Sequence, residues 1–153
     1  MVQMWCLEAP IYGDLRLPHH RFPPLRLTIG ELVKRTGICF YKVDLADPGA
    51  TKQRLKMLKQ DRNLEAERQI IISSDNVNLF MQKRSISEEK LYEDAYLVTE
   101  GEVYLDLLDG RSIWVRVMLE AGELVVVPSC QQFRIVPTTK NLAKIQHFTK
   151  GDE

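Results

Sequence analysis

The sequence predicts a mainly β domain, a barrel or sandwich of short antiparallel strands preceded by two short helices. Three observations lead there. From residue 69 onward, apolar runs of strand length recur at short intervals. Each run is closed by a turn signal: Glu100-Gly101, Asp109-Gly110, Ala121-Gly122, Pro128-Ser129 and the stretch 137–141. Upstream of residue 69, two segments carry helical periodicity instead.

Taken in order, residues 2–7 read as a short strand and residues 16–24 as an extended loop punctuated by Pro18, Pro23 and Pro24. Thr28 and Glu31 form a capping-box pattern that opens a helix over 29–35, with Gly37 as its C-cap. Residues 37–43, rich in aromatic and branched side chains, read as a strand. Residues 44–50 read as loop, with Pro48-Gly49 as the breaker. A second helix is expected over 51–64, with Leu55, Leu58 and Leu64 as its apolar stripe and its basic residues facing solvent. Residues 70–72 are a short buried run, and 78–81 read as helical or irregular. Strands follow at 94–98, 103–108, 113–118, 123–127, 132–136 and 143–148. The expected organisation is one domain over 1–153, with 1–68 a strand and helix extension and 69–150 the β-barrel core.

Composition narrows the function classes. The chain has 153 residues, enough for a hydrophobic core, with 44% hydrophobic and 27% charged residues. Lys plus Arg and Asp plus Glu both total 21, so the formal net charge is zero. A basic excess of the kind that nucleic acid or a membrane surface requires is missing, so neither is an expected partner. No basic segment followed by a long apolar run opens the chain, and no apolar run approaches spanning length. The cysteines, Cys6, Cys39 and Cys130, are odd in number and widely spaced, which predicts free, mostly buried thiols. The expected protein is a monomer of the cytoplasm, and of the nucleus as well.

Few residues carry obvious chemistry. His19 and His20 are adjacent in an extended loop, so their rings point opposite ways and suit packing better than chelation. His147 stands alone on a strand and reads as a hydrogen-bonded structural histidine. Cys130 follows a turn with nothing nearby in sequence to activate it. Local signatures for Ser or Cys nucleophiles and for phosphate-cradling glycine loops are missing.

Several stretches together resemble acireductone dioxygenase, a small cupin of methionine salvage. They are Met1-Val-Gln-Met-Trp5, Arg16-Leu-Pro-His19, Gly37-Ile-Cys-Phe-Tyr-Lys-Val-Asp44 and Gln60-Asp-Arg-Asn63. Gly101, Tyr104, Asp106, Trp114, Arg116, Glu120, Gly122, Glu123, Val127-Pro128 and Arg134 continue the likeness in order. The resemblance implies a cupin jelly-roll barrel binding Fe2+ or Ni2+ through an H-x-H-x3-E strand and a later histidine. It also implies a C-terminal segment beyond Gly151 that helps close the substrate site and is missing here.

Registered on Gly101 and Pro128, the four ligand positions fall on Glu88, Lys90, Asp94 and Phe133. None is the residue the family uses there. Phe133 has no donor atom, and a lysine ammonium beside a divalent cation is unfavourable. No bound cofactor is therefore expected. Lys90 is expected either to fill the vacated metal position, paired with Glu88, Asp94 or both, or to reach water with them at the barrel mouth. The expected function is that of an inactive acireductone dioxygenase homologue that regulates or binds a protein, or holds a small molecule in its barrel. The alternative is an active enzyme with a degenerate metal site. It would cleave 1,2-dihydroxy-5-(methylthio)pent-1-en-3-one to 2-keto-4-methylthiobutanoate and formate.

Overall fold

The computed structural model describes residues 3–23, 27–84 and 92–150. In chain order the elements are β1 (Gln3–Cys6), α1 (Ile29–Thr36), β2 (Cys39–Lys42), α2 (Pro48–Arg62), β3 (Ala66–Ile72), α3 (Val77–Arg84), β4 (Asp94–Leu108), β5 (Trp114–Glu120), β6 (Glu123–Val127), β7 (Phe133–Pro137) and β8 (Ala143–Thr149).

The strands build two facing antiparallel sheets that share one member. The first runs β1-β5-β4-β7 and uses the second half of β4. The second runs β2-β6-β4-β8-β3 and uses the first half of β4. Glu100-Gly101 reads in sequence as a turn that would cut this strand in two. Instead the chain passes through with a register shift between Val98 and Glu100 and turns from one sheet into the other. Gly101 makes the corner possible. Its φ is +76°, and a Cβ there would lie 2.1 Å from the Leu142 carbonyl oxygen, so no other residue fits.

Period-two alternation fills the space between the sheets. Tyr96, Val98, Leu105, Leu107, Val115, Val117, Val125, Val127, Phe133, Ile135 and Ile145 all point inward and are buried. The other face of the second sheet presents Ala95, Leu97, Leu124, Val126 and Phe148, and α2 covers it through Leu55 and Leu58. Leu64 joins that layer from just beyond the helix.

Both expected helices form, and a third, α3, follows β3. Thr28 caps α1 by accepting from the Glu31 amide at 3.1 Å, and Gly37 closes it with φ 74°. Helix α2 begins three residues before its expected start. Pro48 sits in its first turn, where a missing amide proton costs nothing, and Asp47 caps it by accepting from the Ala50 amide at 3.1 Å. Of the three cysteines, only Cys6 is buried, whereas Cys39 is half-buried and Cys130 exposed. The reading of mostly buried thiols therefore holds for one of them.

Candidate site at the barrel mouth

The inward positions of β3 run from buried Ile72 through half-buried Ile70 to exposed Arg68. The barrel therefore opens where β3 begins, β8 ends and β4 starts. Asp94, the first residue of β4, lies at this end and is 4% exposed. Phe133, the first residue of β7, is buried in the core. Glu88 and Lys90 lie outside the described residues, and so does any pairing of Lys90 with its neighbours. The alternative in which Glu88, Lys90 and Asp94 all reach water fails for Asp94, which is buried.

Strand pairing brings a row of side chains together here. Arg68 faces His147 across β3 and β8, and His147 faces Tyr96 across β8 and β4. The His147 ring stacks on Tyr96 with centroids 4.4 Å apart and planes 4° from parallel. Its Nε2 lies 3.0 Å from Asp94 Oδ2, and Arg68 Nε donates to its Nδ1 at 2.9 Å. An arginine can only donate, so Nδ1 accepts and the ring proton sits on Nε2, pointing at the carboxylate. The Tyr96 hydroxyl donates to the same Asp94 oxygen at 3.2 Å. Phe133 meets the Tyr96 ring edge-on at 5.9 Å.

These residues do not fit the metal that the resemblance implies. Iron or nickel would need imidazole nitrogens and a carboxylate converging on one point. The Phe133 position offers only carbon, packed against an aromatic ring. Asp94 keeps a carboxylate, but its Oδ2 accepts from His147 and Tyr96. Among the described residues, no group of three or more His, Cys, Asp or Glu side chains converges on a common point.

A second polar cluster lies on the outer face of the first sheet. Arg116 grips Asp106 with two hydrogen bonds of 2.7 and 2.9 Å, and Arg134 donates to Asp106 Oδ2 at 2.8 Å. Asp106 and Arg116 are both fully buried. The guanidinium of Arg116 lies over Tyr104, and that of Arg134 over Trp114. Burial pushes the Tyr104 phenol above its ordinary range, with Arg116 pulling it partly back. Arg116 Nη1 also donates to the Leu15 and Leu17 carbonyls and so fastens the N-terminal loop to the sheet. In that loop His19 is held between the Glu8 carboxylate and the Asp14 carbonyl, and His20 stacks on Trp5. The packing role expected of both histidines is the one His20 has, whereas His19 is held through both ring nitrogens.

Sequence reasoning named Asp94, Phe133 and His147 but missed Arg68 and Tyr96. Nothing local marks either one. Only the pairing of β3 with β8, and of β8 with β4, puts residues so far apart in sequence side by side.

Two facing sheets sharing a bent strand, with polar groups at one open end, define a jelly-roll barrel of the cupin kind. A search of solved structures finds an acireductone dioxygenase from Bacillus anthracis with a cadmium ion in its active centre. Its TM-score is 0.73 at 12% identity, covering 82% of this chain and 84% of that one, which is a likeness of fold. The ARD/ARD' family model matches residues 3–153. A Caenorhabditis elegans protein named "Probable inactive acireductone dioxygenase 2" is 36% identical over 156 residues, covering 100% of this chain and 99% of that protein. The "Acireductone dioxygenase" of Drosophila melanogaster is 28% identical, covering 99% and 82%. The chain belongs to the acireductone dioxygenase family.

Proposed function

We propose that this chain is a non-catalytic member of its family, a folded barrel that takes part in methionine salvage, or in its control, without cleaving acireductone. The observation that carries this is the contact between Phe133 and Tyr96. A position where the resemblance calls for a histidine ligand is occupied by an aromatic ring packed on another. The engagement of Asp94 by His147 and the name of the nematode relative support the same reading. On this reading the barrel holds no iron or nickel, and its role is binding, to a protein partner or to a small molecule. No described helix is long and apolar enough to cross a membrane. The chain is proposed to act as a monomer in the cytoplasm and nucleus.

The test is metal content. Purified protein is loaded with iron(II) or nickel(II), exchanged into metal-free buffer and analysed for bound metal. The expected result is a folded protein retaining far less than one equivalent. Near-stoichiometric retention together with turnover of the acireductone would overturn the proposal and restore the enzymatic reading.

A further inference from the structure

We propose that Arg68 is a binding site for a small carboxylate at the barrel mouth, one that takes its ligand without a metal. This goes beyond the reading above and stands on different residues. Arg16, Arg35, Arg62, Arg111, Arg116 and Arg134 each face a carboxylate within ion-pair distance. Arg68 bonds instead to an imidazole, through Nε alone. Its Nη1 and Nη2 bond to nothing else among the described residues, and the residue is exposed. Among the described residues no carboxylate pairs with its charge.

The anchor behind it is rigid. His147 is 1% exposed and Asp94 is 5% exposed, counted on their side chains. The imidazole is fixed at one nitrogen by Asp94 and on one face by Tyr96, so it cannot turn away. A guanidinium held at Nε keeps its plane, and its end-on pair of Nη groups stays open. That pair matches the two oxygens of a carboxylate and makes two parallel charge-assisted hydrogen bonds. Because the fork is already ordered, a ligand has little side-chain freedom to remove on binding. An exposed lysine would offer charge at this place without the fork.

The experiment uses the full chain after treatment with a chelator, so its outcome is independent of metal binding. Backbone amide shifts across β3 and β8 are followed by NMR during titration with acetate and, separately, 2-oxobutanoate, with sulfate as the comparison anion. The expected result is a saturable shift centred on Arg68 and His147 for both carboxylates. Arg68→Gln should weaken binding by about tenfold or more, with Arg68→Lys intermediate, because charge remains while the bidentate geometry is lost. His147→Phe should weaken it several-fold by releasing the anchor, with Arg68 still present. Thermal unfolding of each variant checks the fold, and if Arg68→Gln fails to fold, Arg68→Lys carries the comparison. The absence of a saturable shift overturns the proposal. So does equal affinity in wild type and the Arg68 variants. Sulfate binding as tight as that of the carboxylates would leave a general anion site and overturn the carboxylate assignment.

Discussion

The two polar clusters of this barrel match the family resemblance to different extents. On the outer face of the first sheet, Tyr104, Asp106, Trp114, Arg116 and Arg134 stand as the family resemblance expects, and they are joined by buried ion pairs and ring contacts. On the inner face, Asp94 and Phe133 stand where the resemblance implies a glutamate and a histidine, and neither is the residue it implies. Both clusters draw on the same strand, β4. Alternate residues of a strand face opposite ways, so one face can lose its chemistry while the other keeps its architecture. The family likeness of this chain is thus in large part the likeness of a scaffold.

The difference can be broken or sharpened by substitution. The largest effect is expected at Arg116. Arg116→Met leaves Asp106 buried with only Arg134 to face it and frees two loop carbonyls. Removing one member of a buried pair costs about 3–5 kcal/mol. Urea unfolding should show a matching fall in midpoint, and a loss below about 1 kcal/mol would mean that the outer cluster does not hold the sheet. At the mouth, His147→Leu removes the acceptor for Arg68 and the donor to Asp94. The expected cost is smaller, about 1–3 kcal/mol, since Arg68 is exposed and water can replace its bond. Equal losses at the two sites would erase the contrast between them.

The smallest effect concerns pH. The Arg16 guanidinium bonded to Asp14 holds that carboxyl below the usual range. A folded-state value below the unfolded one stabilises the fold above the ordinary carboxylate range. That stabilisation is lost as pH falls through the lower, folded value. Asp14→Asn should therefore narrow the gap in stability between neutral and acidic solution slightly. Thermal unfolding of the variant and the wild type across the acid range measures it. Asp14 is partly exposed to solvent, so the shift should be modest.

Much of this architecture was legible in the sequence, because local rules decide it. The strand 123–127 is legible to the residue, since Ala121-Gly122 and Pro128 bound Glu123 and the apolar run 124–127. Thr28 and Gly37 announced both ends of α1. Two errors came from residues that mean different things in different places. Pro48 reads as a breaker, yet in the first turn of a helix it is an initiator. Gly101 reads as a turn between strands, yet it is the corner within one strand, set by the approach of Leu142. That Asp94 and Phe133 differ from the glutamate and histidine the resemblance implies there was legible from the residue types alone. The Arg68–His147–Asp94 series was not, because its members come from three strands that only the folded sheet makes neighbours.

Strand β4 serves both sheets. Peeling away β6 and β8 would strip the first half of β4, and peeling away β5 and β7 the second. A half-melted form that kept one sheet whole would thus leave the other half of the same strand with its backbone groups unpaired. Neither sheet can be stripped from the barrel without unpairing part of β4. Its innermost amides should exchange with solvent only when the whole molecule comes apart, so that the scaffold behaves as a single cooperative unit.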